Sequence, residues 1–531
     1  MNPSRTELLQ RLDDVSRPWD IIVIGGGATG LGAAVDAASR GYRTLLLEQG
    51  DFASGTSSRS TKLIHGGVRY LQQGNLALVR EALRERWILL QNAPHLVHDV
   101  PFVIPLYRWW ERPFYGVGMA LYDLLSGVHG LKHSRHLSRE DTIALVPTVR
   151  RQNLRGGVVY HDGQFDDARL AVCLAQTLAD LGGTPLNYME VSGLAARSGR
   201  MSIVTAIERE SGREYLLSGR AVINATGVWC DQLRRMDEPT CSPLITLSQG
   251  AHLVLDRSFL PGNCALMVPH TDDGRVFFAI PWYDHIIVGT TDTPLSTVTQ
   301  APVPLPDEID FLLTHAGRFL DRQPTRSDVL SIFAGLRPLA GGKNSQNTAK
   351  LSREYQLSVS ESGLVTITGG KWTTYRSMAV AAVDAAAAQG GLDARPSATH
   401  ELRLHGWEPP LSSQAGTLIG YGSDRDLLEQ FAGGDPSWQE PLHPRLPCTA
   451  AEIVWAVRFE WARSVEDVLA RRTRALFLDV GACLEIAPRV ASLMSAELGR
   501  DQAWQSQQLE SFYAAASQYL PARKTVRKGR P

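Results

Sequence analysis

Short apolar runs that end in glycine recur along this chain and set its frame. Residues 19–24 (WDIIVI) run into Gly25, residues 220–225 are closed by Thr226 and Gly227, and residues 364–368 (LVTIT) precede Gly369 and Gly370. Uninterrupted apolar runs of this length predict strands buried on both faces, as in a parallel sheet. After the first run, residues 33–40 predict a short helix stopped by Gly41, and residues 43–48 (RTLLLE) predict a second strand. A strand–helix–strand unit results.

Other patterns predict other elements. Leu76, Val79, Leu83, Trp87 and Leu90 recur at helical spacing, so this stretch is an amphipathic helix. Residues 158–160 predict a short strand. Asp166 or Asp167 caps a helix running to Leu181, ended by Gly182 and Gly183. From Pro243 to around Arg337, the pieces HLVLD, RVFFAI and HIIVGTTD alternate with Pro, Gly and Asp turns, which predicts a largely antiparallel sheet. Residues 390–413 have linker composition, and residues 413–520 read as mainly helical. Residues 103–131, rich in aromatics, Arg and Pro, match no single period. There is no fixed repeat.

With 531 residues, two or three domains are expected. The formal net charge of -1 provides no global field for nucleic acid, so charged ligands must be met by local clusters. The six cysteines form no C-x-x-C pair, which suggests neither a zinc site nor a redox dithiol, and fits a reducing compartment. Residues 1–19 lack the apolar core of a secretory signal, and no stretch reaches the ~18 apolar residues of a membrane span. A cytoplasmic protein that does not cross a bilayer is expected. The basic tail at 523–530 is expected to lie outside any packed core.

Gly25, Gly27 and Gly30 form G-x-G-x-x-G between the first predicted strand and its helix. Gly25 permits the tight turn, Gly27 lets the backbone approach a pyrophosphate, and Gly30 allows close helix–strand packing. The helix N-terminus offers free N–H groups to the phosphates. Glu48 ends the second strand, where a carboxylate binds ribose hydroxyls, and it disfavours a phosphorylated ribose. FAD or NAD is therefore preferred over NADP. The later strand–glycine elements at 222–227 and 364–372, separated by long insertions, favour FAD. The 369–370 turn would aim a positive helix dipole at the flavin pyrimidine.

Four motifs occur in order: TSSRSTKLIHGGVRYL at 56–71, AGLRPL at 334–339, TGGKWTTYR at 368–376 and SVEDVLARRTR at 464–474. On these the chain resembles the FAD-dependent, quinone-linked glycerol-3-phosphate dehydrogenase family over nearly its whole length. The resemblance implies an α/β fold with α+β insertions: a split Rossmann-like FAD-binding domain of the glutathione-reductase type, an antiparallel-sheet substrate domain and a helical C-terminal domain. The expected division assigns 1–95, 151–240 and 341–395 to the FAD-binding domain. It assigns 96–150 to a cap or membrane-interface insertion, 241–340 to the substrate domain, 396–412 to a linker, 413–520 to the helical domain and 521–531 to the basic tail. The implied reaction is oxidation of sn-glycerol 3-phosphate to dihydroxyacetone phosphate, by hydride transfer from C2 to flavin N5, with a quinone as later acceptor. Peripheral attachment to the cytoplasmic face of the inner membrane and a homodimer are also implied.

Such a substrate needs cations for its phosphate and a route for its hydroxyl proton. The resemblance places substrate contacts on Arg69, Tyr70, Arg337 and Lys371. An arginine fork suits phosphate oxygens, and lysine supplies a point charge. Isolated cations are ordinarily surface or ion-pair residues; the motif context argues otherwise here. His252, in QGAHLVL, is either the proton acceptor or a satisfied histidine in a sheet. Arg337 and Lys371 are its catalytic companions, since a cation beside an alcohol favours the alkoxide. Ser57, Ser58, Thr61 and Lys62 are expected around the flavin and pyrophosphate, His65 to order flavin or backbone, and Gly227 and Gly370 at the later turns. Thr373 and Thr374 either touch the flavin or cap a helix, and Asp292 either binds substrate or closes a turn, the turn being favoured. Trp109, Trp110, Phe114 and Tyr115, with Arg108 and Arg112, suit a lipid interface, an aromatic cap or a dimer contact. The competing functions are an oxygen-using glycerophosphate oxidase, an amino- or hydroxy-acid oxidase of the same fold, and a silent FAD-binding scaffold.

Overall fold

A computed structural model of the chain describes residues 2–67, 74–197, 200–269, 271, 276–341, 354–409 and 417–521. Among them, the apolar runs build one eight-stranded sheet. Trp19–Ile24 lies between Thr44–Leu47 and Glu214–Asn224 and is parallel to both. Thr184–Leu186 extends the sheet on one side, and Val365–Gly369 followed by Tyr355–Val359 on the other. Ile21, Ile22, Val23, Leu45 and Leu46 are fully buried, as uninterrupted apolar strands must be. The helix Ala28–Ser39 packs between Asp167–Asp180 and Tyr375–Gly390. Its Gly32 makes room for the Tyr375 ring.

A second, ten-stranded sheet centres on Ile245–Asp256, paired antiparallel along its length with Val329–Ala340. His285–Gly289, Phe277–Trp282 and Ala265–Val268 follow on its other side. On one face, Leu253 and Leu255 pack with Leu312 and Leu313 of the helix Pro306–Phe319. On the opposite face, Val254, Phe333 and Ile287 pack with Ile453, Leu469 and Phe477 of the C-terminal helical unit.

Two expectations need correction. Val97–Leu106, expected in a cap insertion, and Gly156–Phe165, expected with the FAD-binding part, are paired strands of the second sheet, in register from Val97↔Phe165 to Leu106↔Gly156. Pro101 and Pro105 interrupt the first of these in sequence, yet Phe102 and Ile104 are buried on one face and Val103 on the other. The expected 396–412 linker is instead, over residues 396–409, an ordered strap. Asn92 Nδ2 donates to the Thr399 carbonyl at 2.9 Å, and the Leu404 N–H donates to the Asn92 carbonyl at 3.0 Å. His405 bridges Asp180 and Asp424 at 2.7 and 2.8 Å. Polar composition conceals such pairing, because each donor finds its acceptor on a distant element. The basic tail lies outside the described residues.

Candidate active site

A cavity of about 570 Å³ takes its wall from both sheets. At one end stands the glycine turn. Gly25 has φ 112°, and a Cβ there would lie 2.6 Å from the Ala225 carbonyl oxygen. A Cβ on Gly30 would lie 1.8 Å from the Gly25 oxygen, so only glycine lets this helix sit on its strand. Glu48 accepts the Gly26 N–H at 2.6 Å and the Gly50 N–H at 2.8 Å. Burial nevertheless holds its carboxyl above the usual range, outweighing those two donors. Ser57 Oγ accepts the Ala28 N–H at the helix N-terminus, 2.9 Å away. Gly27, Glu48, Ser57, Gly227, Gly370 and Thr373 all line the cavity. A wall with a glycine turn, a helix N-terminus and a carboxylate at a strand end suits a dinucleotide.

At the other end, the second sheet contributes Arg337 and His252. Register places Arg337 opposite Ser248 and His252 opposite Phe333, so both project from the same face of adjacent strands. Gly250 lies between them on that face, and the guanidinium lies over it: a Cβ on Gly250 would be 2.1 Å from Arg337 Nη2. Arg337 Nη1 donates to the Thr291 carbonyl at 3.0 Å, and Nη2 donates to Thr290 Oγ1 at 2.9 Å. Asp292 stands 3.7 Å from Nη1 and accepts a hydrogen bond from Ser248. It thus faces the Arg337 guanidinium, a contact that neither reading of Asp292 named.

His252 is buried, with its ring stacked on Phe333 at 4.7 Å and its Nε2 3.0 Å from Thr61 Oγ1. Gly289 leaves room for the imidazole. Burial first, then the cations of Arg337 and Lys62, hold its pKa well below the ordinary histidine value. The ring is therefore neutral near pH 7, the form that accepts a proton. His65, Thr61 and Lys371 line the same cavity. Lys371 opens the turn Trp372–Thr374 that leads into the Tyr375–Gly390 helix.

The structure brings Arg337, Lys371, His252, His65 and Thr61 to one wall with Gly25, Gly27, Glu48, Ser57, Gly227, Gly370 and Thr373, whereas Gly30 lies off it and serves the packing of the helix on its strand. Arg69 and Tyr70 lie outside the described residues. Ser58 and Lys62 are corrected: neither lines the cavity. Lys62 Nζ is buried against Asp167 at 2.6 Å and donates to the Ser58 carbonyl at 2.7 Å. Lys62 has φ 63°, and its side chain runs to the rear of the loop. Thr374 also lies off the wall, its hydroxyl donating to the Lys371 carbonyl at 3.4 Å. Arg59, Met189, Trp229 and Met236 line the cavity without having been foreseen. Arg59 lies within the 56–71 motif and Trp229 just after Gly227, while nothing in the local sequence marks Met189 and Met236.

The split sheet, glycine turn and cation-bearing cavity define an FAD-dependent oxidoreductase. Residues 20–376 match the family described as FAD dependent oxidoreductase, and residues 336–505 match the C-terminal domain of alpha-glycerophosphate oxidase. The chain is 41% identical to the mitochondrial glycerol-3-phosphate dehydrogenase of Rattus norvegicus, over 96% of this chain and 74% of the relative. It is 40% identical to that of Arabidopsis thaliana, over 93% and 85%. Among solved structures it is similar to the glycerol-3-phosphate dehydrogenase of Bacillus halodurans complexed with FAD, with a TM-score of 0.79, 28% identity and coverage of 98% and 99%. The chain belongs to the FAD-dependent glycerol-3-phosphate dehydrogenase family.

Proposed function

We propose that this protein oxidises sn-glycerol 3-phosphate to dihydroxyacetone phosphate and passes the electrons to a membrane quinone. The observation that carries this reading is the guanidinium of Arg337, held by Thr290, Thr291 and Asp292 on the cavity wall that Lys371 and neutral His252 share. FAD, when bound, supplies the hydride acceptor. Gly25 and Gly27 would hold its pyrophosphate at the helix N-terminus, which Gly30 lets sit close on its strand, and Glu48 its ribose. Arg337 and Lys371 bind the substrate phosphate, with Arg69 and Tyr70 completing the set. His252, neutral on the same wall, is the group placed to take the C2 hydroxyl proton. Thr61 orients the ring through its hydrogen bond.

A membrane acceptor is supported by the helix Glu111–Ser126. Trp110, Phe114, Val117, Leu121 and Leu124 recur along one exposed stripe, and Trp109 beside it is 76% exposed. Arg108, Arg112, Lys132 and Arg135 are exposed nearby in sequence. Aromatic and basic residues on an amphipathic helix suit an interface with anionic lipid. None of these aromatics lines the cavity, which speaks against the cap reading. No helix among the described residues is long and apolar enough to cross a membrane. In this reading the protein sits peripherally on the cytoplasmic face of the inner membrane.

The test is a substrate and acceptor panel. Anaerobic sn-glycerol 3-phosphate should bleach the flavin, while glycine, sarcosine and 2-hydroxyglutarate should not. Re-oxidation should be fast with a soluble quinone analogue. Stoichiometric peroxide formed in air would favour the oxygen-using oxidase instead.

A further inference from the structure

The 464–474 segment contributes no residue to the cavity wall. It sets its arginines against the loop that forms that wall. Asp467–Arg472 is a wide helical turn, and Arg474 follows with φ 63°, a left-handed conformation uncommon for arginine. Arg471 and Arg472 reach Asp51 at 2.6 and 2.7 Å. Arg474 Nη2 donates to the Ser58 carbonyl at 3.0 Å and to Asp167 Oδ1 at 3.1 Å. Asp167 Oδ2 accepts from Lys62 Nζ at 2.6 Å, the Ser60 hydroxyl at 2.7 Å and the Ser60 N–H at 3.1 Å. Arg474, Lys62 and Asp167 are almost wholly buried.

The loop is thus tied from behind at Ser58, Ser60 and Lys62. Its front side carries the contacts that shape the cavity: Ser57 on Ala28 N–H and Thr61 on His252. A buried ion cluster gives little net stability, because desolvation offsets its attraction. Its evident product is a fixed geometry. Burial pulls the Lys62 ammonium down to about 7, opposed by Asp167, so Arg474 supplies the permanent charge.

We propose that Arg474 is a positioning residue of the flavin site. From the C-terminal helical unit it fixes Ser58 and Asp167, and through them it sets Thr61 against His252 and Ser57 against the N-terminus of the Ala28–Ser39 helix. The proposal rests on the reading that this cavity holds FAD and substrate.

The test compares full-length holoenzymes of wild type, Arg474→Lys, Thr61→Val and the double variant. FAD dissociation is followed by flavin fluorescence on dilution, flavin reduction by sn-glycerol 3-phosphate under anaerobic conditions, and the thermal midpoint separately. Lysine keeps the charge but has one nitrogen, so it lacks the fork that holds the Ala470 carbonyl through Nη1 while Nη2 serves Ser58 and Asp167. Arg474→Lys should weaken FAD binding and slow reduction, each by about tenfold, and Thr61→Val should slow reduction by a similar factor. The double variant should be no slower than the slower single one, because both changes act on one contact. Effects that multiply in the double variant would overturn the proposal. So would a lowered thermal midpoint with FAD affinity and rate unchanged. If Arg474→Lys does not fold, Asp167→Asn takes its place in the same cycle with the same expectations. A wild type that sn-glycerol 3-phosphate does not reduce would sink the substrate reading, while the FAD affinities would still decide this one.

Discussion

Single residues show how closely the site is fitted. Arg337 can lie where it does because Gly250 has no side chain, and a methyl group there would meet Nη2 at 2.1 Å and Thr290 Oγ1 at 2.8 Å. The nearer atom is the end of a flexible side chain, so the fold should survive Gly250→Ala while the guanidinium moves. Misplacing a binding group costs substrate affinity with little effect on a remote cofactor. Gly250→Ala should retain FAD and raise KM for glycerol 3-phosphate about tenfold, read by steady-state kinetics on the yellow protein. An unchanged KM would show that Arg337 does not need this position. Legibility at this scale was uneven. Gly25, Gly27 and Glu48 were readable because each sits in a motif with a mechanical reason, and Arg337 only through the family resemblance of its motif. Ser58 and Lys62 sit in a motif too, but their side chains or carbonyls face an ion cluster whose other members lie at Asp167 and Arg474. A motif shows that a segment matters, but not which side of it faces the ligand.

Elements show what periodicity can and cannot reveal. The buried parallel strands were plain in sequence, because a strand covered on both faces is predominantly apolar rather than alternating. The strand Val97–Leu106 was hidden by its prolines, and the strap over 396–409 by its polar composition. The helix Glu111–Ser126 escaped because its exposed face is apolar, the reverse of an ordinary surface helix. Phe114 is 52% exposed and Leu124 75%, so changing them costs the fold little. Phe114→Asp with Leu124→Asp should leave flavin reduction by glycerol 3-phosphate unchanged and lower binding to anionic vesicles by about tenfold or more in a sedimentation assay. Unaltered vesicle binding would assign this face to another partner.

At the scale of the molecule, two sheets and a helical unit meet around one cavity. The first sheet and its glycine turn were legible from the sequence, as was the antiparallel character of the second. What was not legible is the joint between them: three separated segments, 56–61, 248–252 and 335–339, come together only through strand register and the buried ion cluster. The central claim is that Arg337 is a substrate cation of this cavity, supported by the hydrogen bonds that hold it there. The most direct measurement is the anaerobic rate of flavin bleaching as sn-glycerol 3-phosphate is varied, in wild type and in Arg337→Ala, each with FAD bound. The variant should lose about a hundredfold or more in apparent second-order rate, as expected for removing a charge-assisted phosphate contact. Bleaching at the wild-type rate, with the same substrate saturation, would contradict the claim.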